Sequence, residues 1–197
     1  MAGVFVITGP SGVGKGTLIR GLCARVPEIA LSVSATTRAP RPGEENGREY
    51  WFLDDAEFEQ RVQAGAFVEH AGYSGRRYGT LRAELDRHLT ADPPRPVVLE
   101  IEVQGARQVR ETLPQAVQIF IAPPSQDALR TRLTGRGTDD DEQIRARLEV
   151  AEAELASQSE FPHVVVNDRV QDAVDELVTI VAGKTASAAA GSARLRP

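Results

Sequence analysis

One stretch, Gly9-Pro10-Ser11-Gly12-Val13-Gly14-Lys15-Gly16-Thr17, constrains this chain more than any other. It follows a β-prone run, Val4 to Ile7, and leads into Leu18-Ile19-Arg20-Gly21-Leu22-Cys23, whose apolar residues recur at helical spacing. Strand, glycine-rich loop and helix in that order make the setting of a phosphate-cradling P-loop. The glycines let the backbone turn several N–H groups inward, and the following helix adds the positive end of its dipole. Lys15 stands where an ammonium reaches the outer phosphates of a polyphosphate, with Gly9 to Thr17 as the cradle. The hydroxyl that P-loops offer to Mg²⁺ comes one residue later than usual, at Thr17, because Gly16 occupies the expected place.

The rest of the chain supplies a parallel sheet for that loop. Five runs rich in branched residues read as strands: Val4–Thr8, Ala30–Ser34, Val97–Ile101, Val117–Ala122 and Val164–Asn167. Helical patterns lie between or after them at Gly14–Val26, Gln104–Thr112, Gln126–Arg136, Asp140–Ser157 and Val170–Val181. Near-continuous apolar strands alternating with helices predict an α/β core, a three-layer sandwich whose five-stranded parallel sheet is covered on both faces. Ligands of such sheets lie beyond the carboxyl ends of the strands.

Residues 35–82 break the rhythm, being too long for a simple crossover. All three tyrosines, the only tryptophan and three of the six phenylalanines fall here, which predicts an inserted α+β lobe with its own small core or a base-stacking surface. Strands are expected at Glu49–Leu53, Phe67–Glu69 and Arg76–Gly79, with a helix opened by a capping box at Asp54 and Glu57. Thr80 is expected to cap a helix over Leu81–Leu89. A second irregular place, Thr131–Asp141, carries Arg132 and Arg136 on one helix face with Gly135 and Gly137 at the turn, and reads as a helical lid spanning 126–150. In the helix after it, Ile144, Leu148, Ala151 and Leu155 form an apolar face. The P-loop core is thus 1–34, 83–125 and 151–183, and 184–197 is expected to be a disordered tail.

Composition narrows the partners. A net charge of −5 and a pI near 5.3 argue against nucleic acid or an anionic membrane as a ligand. Lys15 and Lys184 are the only lysines, so the lysine in the loop is not there through abundance, whereas arginine is so frequent that any single one is weak evidence. The single cysteine, Cys23, forms no internal disulfide and suits a reducing compartment; with no apolar run of membrane-spanning length, a cytoplasmic location is expected. His70, His88 and His163 share no metal-ligand spacing.

The ordered motifs resemble those of guanylate kinases over about residues 3–182. They are the Gly-Pro-Ser-Gly-Val-Gly-Lys loop, Ser34-Ala35-Thr36-Thr37-Arg38-Ala39-Pro40-Arg41-Pro42-Gly43-Glu44, Gly47-Arg48-Glu49-Tyr50, Glu69-His70-Ala71, Tyr78-Gly79-Thr80, Glu100-Ile101-Glu102-Val103-Gln104-Gly105-Ala106, Arg132-Leu133-Thr134-Gly135-Arg136-Gly137 and Val166-Asn167-Asp168. The Lys-Gly-Thr ending of the loop also resembles that of other nucleoside monophosphate kinases. The resemblance implies Mg²⁺-dependent transfer of the γ-phosphoryl group of ATP to GMP, and to dGMP, giving ADP and the nucleoside diphosphate. It makes residues 35–82 the GMP-binding lobe.

Chemistry agrees with that reading. Arg38 and Arg41, in a proline-stiffened loop, suit a phosphate dianion because planar guanidinium forks match its oxygens. Tyr50 and Tyr78 add hydroxyl donors. Guanine offers N1–H and an exocyclic amine along one edge, which a carboxylate accepts together. The resemblance makes Glu69 and Glu102 the readers, with hydroxyls from Ser34 and Thr80. Glu100 ends an apolar strand where P-loop proteins orient Mg²⁺, often through water; which of Glu100 and Glu102 serves metal and which serves base is open, and Thr17 is the other metal candidate. Lys15, with Arg132, Arg136 and Arg147 from the lid, would stabilise the transferring group. Asn167 resembles a residue beside the ATP adenine, though it equally suits a turn into the final helix.

Other classes fare worse. A non-catalytic interaction domain of this fold would be expected to lack Lys15 or the Arg38–Arg41 clamp, and a GTPase would need an Asn-Lys-x-Asp motif that Asn167-Asp168-Arg169-Val170 does not supply. A different acceptor monophosphate is the nearest rival, and it turns on Glu69, Glu102 and Ser34. Oligomeric state is open.

Overall fold

The computed structural model describes residues 3–73, 75–134 and 141–193, the side chains of 141–147 and 185–193 excepted. Nine strands and seven α-helices are assigned among them. Five strands form the parallel sheet that the alternating pattern predicts: β1 (Val4–Thr8), β2 (Ala30–Leu31), β7 (Val97–Glu100), β8 (Val117–Ala122) and β9 (His163–Val166), in the order β2-β7-β1-β8-β9. β1 is central, so the loop after it opens between β7 and β8, with Ile7 in register with both Glu100 and Ile119.

Successive residues of the central strands point to opposite faces, and each face has its own helix layer. Phe5 and Ile7 of β1, with Ile119 and Ile121 of β8, pack on one face with Leu18 and Leu22 of α1 (Lys15–Arg25) and Val174 and Leu177 of α7 (Val170–Ala193). Val4, Val6 and Phe120 pack on the other with Leu85 of α3 (Arg82–Leu89) and Ala106 and Val109 of α4 (Val103–Thr112). This two-sided burial is why the strands read as unbroken apolar runs. The remaining helices, α5 (Gln126–Thr134) and α6 (Asp141–Ala156), join the first face through Leu129, Leu133 and Ala151.

The run at 30–36 is divided between two sheets. Where one strand over Ala30–Ser34 is expected, β2 ends at Leu31 and β3 (Ala35–Thr36) starts a second sheet, with β4 (Trp51–Phe52), β6 (Arg76–Leu81) and β5 (Phe67–Tyr73) in the order β4-β3-β6-β5. Between β4 and β5, α2 (Asp55–Gln63) opens with the expected capping box: Asp54 accepts from the Glu57 amide at 2.7 Å, and Glu57 accepts from the Asp54 amide. A third core of Ala35, Phe58, Phe67 and Leu81 holds these elements together, with Phe58 and Phe67 stacked at 4.6 Å between ring centres.

Two further expectations need correction. Thr80 does not cap α3; it is fully buried inside β6, where pairing with β5 turns its hydroxyl toward Glu69, and Leu81 stands at the cap without a side-chain bond. The last helix also does not stop near Val181 but runs to Ala193, since the alanine-rich segment needs no apolar face to continue a helix already nucleated. Among the described residues no helix is long and apolar enough to cross a membrane.

Candidate functional site

Above the carboxyl end of β1, the loop from Gly9 to Gly14 curls back on itself. Gly9, Gly12 and Gly14 have φ of +142°, +82° and +99°, conformations that favour glycine. A Cβ on Gly9 would collide with the carbonyl oxygen of Ile121, so the loop's close approach to β8 demands glycine for space as well. Val13 is completely buried and anchors the turn in the core. The Lys15 ammonium donates to the Gly9 carbonyl at 2.6 Å and to Pro10 at 3.4 Å, spanning the mouth of its own loop.

Two cavities meet at this lysine. One, of about 330 Å³, lies along the loop from Pro10 to Thr17 and reaches Arg20, Tyr73, Glu100 and Glu102. The other, of about 210 Å³, is lined by Lys15, Ser34, Tyr50, Glu69, Tyr73, Tyr78, Gly79, Glu100 and Glu102, among others. Lys15, Tyr73, Glu100 and Glu102 form their shared wall. The second cavity therefore lies between the parallel sheet and the inserted lobe, and the first lies on the P-loop.

In the lobe, Glu44 straps together the Arg38–Glu44 loop: Oε1 accepts from Arg38 Nη2 at 2.9 Å and Oε2 from the Arg41 amide at 2.7 Å. These two bonds, the first of them from Arg38, hold the Glu44 carboxyl below the usual carboxylate range. Arg38 also lies 5.2 Å from the centre of the Tyr50 ring, and Tyr50 meets Tyr78 edge-on at 6.1 Å. Burial, with Tyr78 adding to it, pushes the Tyr50 hydroxyl up, so it remains a donor at neutral pH. Arg38 thus stands behind the tyrosines, while Arg41 is exposed.

Four carboxyls surround the shared wall. Glu69 is only 4% exposed and accepts the Thr80 hydroxyl at 2.7 Å; burial pushes its carboxyl up to about 6 against that bond. Glu100 opens into the cleft at the end of β7, yet the walls crowding it raise its pKa, with Lys15 opposing and Glu102 adding to the rise. One oxygen of Glu102 is buried with no donor among the described residues. Glu102 faces Glu154 of α6; burial first, then the neighbouring Glu102, drives Glu154 well above the usual carboxylate range. Glu154 also accepts the Ser11 amide of the P-loop at 3.2 Å.

The donor set suits a hard cation. Among the described residues no group of three or more His, Cys, Asp or Glu is arranged to hold a metal by itself. Glu100, however, stands 3.8 Å from where a Cβ on Gly16 would be, at the junction of both cavities, and the Thr17 hydroxyl, 3.2 Å from Arg20 Nη2, lies on the same loop. One or two carboxylates completed by phosphate oxygens and water is the way Mg²⁺ is commonly bound.

Two of the expected site residues lie against the P-loop backbone. Asn167, 4% exposed, donates from Nδ2 to the Val13 carbonyl at 2.8 Å, behind the loop. Arg132 joins it there, donating to the carbonyls of Val13 at 3.2 Å and Asn167 at 3.0 Å. Arg136 and the Arg147 side chain lie outside the described residues. Conversely, Tyr73, Glu44 and Glu154 were not singled out in sequence. Glu154 had a faint signal, since it follows Ala151 by three positions and sits at the edge of that helix's apolar face.

Comparison with known proteins points one way. The family model described as Guanylate kinase matches residues 1–184. The guanylate kinase of Frankia casuarinae is 52% identical over 181 residues, covering 92% of this chain and 97% of that protein. That of Thermobifida fusca is 50% identical over 177 residues, covering 90% and 89%. Among solved structures, guanylate kinase from Anaplasma phagocytophilum superposes with a TM-score of 0.73 at 31% identity, over 93% of this chain and 86% of that one.

Proposed function

The chain belongs to the guanylate kinase family, and on that premise we propose that it transfers the γ-phosphoryl group of ATP to GMP, giving ADP and GDP, with Mg²⁺ as its metal. The observation that carries this reading is the shared wall: a P-loop cavity and a lobe cavity meeting at Lys15, Glu100 and Glu102. The donor phosphates lie on the loop amides with Lys15 over the outer ones. The acceptor phosphate faces the Tyr50 and Tyr78 hydroxyls, with the guanidinium of Arg38 behind them and Arg41 at the rim. A monophosphate oxygen is already ionised, so no general base is needed. It forms the new P–O bond as the bond to the β–γ bridging oxygen breaks, and catalysis reduces to alignment and charge stabilisation.

Glu100, with Thr17 or through water, would hold Mg²⁺, which when bound would supply positive charge to offset the charge developing on the departing oxygen. Arg132, Arg136 and Arg147 belong to this reading as lid cations; Arg132 reaches the transferring group only by leaving the Val13 and Asn167 carbonyls. Glu69 reads the N1–H and exocyclic amine of guanine, with Ser34 and Thr80 beside it and Glu102 next along the wall; dGMP is accepted through the same edge. Adenine presents no such pair of donors, and a buried carboxylate left without them rejects it. Asn167 serves the ATP side by holding the loop at Val13. Residues 35–82 then form the acceptor lobe, 126–150 the lid and the remainder to 183 the core, in a cytoplasmic enzyme.

A coupled assay with ATP, Mg²⁺ and GMP, dGMP, AMP, CMP or UMP tests the reading. ADP formation confined to the guanine acceptors supports it. Equal or greater turnover of another monophosphate would overturn the assignment of the lobe.

A further inference from the structure

Gly105 is the third residue of α4, and the motif containing it leaves it without a role. Its φ is not in the region that favours glycine, so the backbone does not require it there. A helix interior in fact disfavours glycine relative to alanine. What requires glycine is space. A Cβ at this position would collide with Oε2 of Glu69 and stand 3.1 Å from its Cδ, while its nearest other neighbour, Ile101 Cδ1, is at an ordinary 3.5 Å.

Glu69 is held from the far side too. Its Oε1 takes the Thr80 hydroxyl at 2.7 Å, and its strand is stapled to α4 by Gln108, which donates to the His70 carbonyl at 2.7 Å and accepts the His70 amide at 3.1 Å. The carboxyl thus lies between β6 and the bare first turn of α4, with the lobe cavity as its open side. A methyl group on the helix would leave it one way to move.

We infer that Gly105 is a positioning residue for base recognition: its missing side chain is the seat that fixes the Glu69 carboxyl in the plane where it reads the acceptor base. The inference rests on the reading of Glu69 as the guanine-recognising group. The colliding atom is the end of a side chain and not backbone, so Gly105→Ala keeps the fold and displaces only the reader. The helix should tolerate or favour the exchange.

The test combines Gly105→Ala, Glu69→Gln, Glu69→Asp and the double variant Glu69→Asp/Gly105→Ala, with melting temperature and steady-state kinetics for ATP and GMP. Gly105→Ala is expected to melt no lower than the parent, to raise KM for GMP by about 10- to 100-fold, the range for losing a hydrogen bond to a charged group, and to leave KM for ATP unchanged. Asp is one methylene shorter and withdraws from the helix, so adding Gly105→Ala to Glu69→Asp should cost far less than it costs the parent. Additive effects in the double variant, an unchanged KM for GMP, or failure of Gly105→Ala to fold would each overturn the inference, the last by making the glycine a packing requirement. If Glu69→Gln also left GMP use intact, the reading of Glu69 would fall and the inference with it. If Glu69→Gln alone impaired GMP, only the inference would fall.

Discussion

Replacing Glu69 by Gln should make the protein more stable and less able to use GMP. Burial raises this carboxyl from an ordinary 4.5 to about 6, so at neutral pH the folded chain carries an ionised group in a place that disfavours it. The gap of about 1.5 pH units, at 1.36 kcal/mol each, corresponds to about 2 kcal/mol. The sign follows from proton binding. Between about 4.5 and 6 the folded state holds the proton that the unfolded state has released, so stability contributed by this group is fully present below 4.5 and is lost as pH rises through 6. A neutral amide does not incur this loss, and its oxygen still accepts the Thr80 hydroxyl. For a chain of this size about 2 kcal/mol is a rise of roughly 4–8 °C in melting temperature. Thermal melts of the two proteins at pH 7.5 and 4.5 measure it: Glu69→Gln should melt higher at 7.5, with the difference shrinking at 4.5. KM for GMP should rise by roughly 10- to 100-fold with KM for ATP little changed. A variant no more stable at pH 7.5, or a difference independent of pH, would refute the argument that an ionised carboxylate is kept there at a cost for recognition.

The same titration predicts that KM for GMP climbs as pH falls below about 6. A GMP phosphate also titrates in that range, so the comparison with Glu69→Gln, whose profile should lack the carboxylate's share, isolates it. Lys15→Ala should lower turnover by roughly 10²- to 10³-fold, the usual loss for one charge-stabilising donor, while far-UV circular dichroism stays unchanged. The loop loses the Lys15 bonds to Gly9 and Pro10, so a small fall in melting temperature, worth about 1 kcal/mol, should accompany it. Glu44→Ala frees both the Arg38 guanidinium and the Arg41 amide and should weaken GMP with no effect on ATP, measurable by calorimetric titration of each nucleotide.

Much of the architecture was legible because it rests on local patterns. The glycine spacing of the loop, the branched runs of β1, β7 and β8, and the Asp54–Glu57 capping box each follow from chemistry within a few residues. Aromatic clustering marked an inserted lobe, and Ser34, Tyr50, Glu69, Tyr78, Glu100 and Glu102, all named from sequence, do line one cavity. What escaped were relations across long separations. Nothing near Gly105 says that Glu69 will lie against it, and nothing near Glu154 says that it will reach Ser11, 143 residues away. The run at 30–36 misled because a strand that passes from one sheet to another keeps its apolar pattern while its hydrogen-bond partner changes. Thr80 had the composition of a helix cap, but strand pairing decided its place. In the terminal helix, the absence of an apolar face hid the helix propensity of the alanines.

The central claim is that donor and acceptor phosphates meet at the wall formed by Lys15, Glu100 and Glu102. A ligand joining adenosine and guanosine through a polyphosphate bridge measures this directly, by calorimetric titration against ATP and GMP alone. Simultaneous occupation of both cavities predicts binding at least roughly 100-fold tighter than either nucleotide, an advantage that Glu69→Gln reduces. Affinity no better than that of ATP or GMP alone would mean that the two cavities are not one active site, and the account would be contradicted.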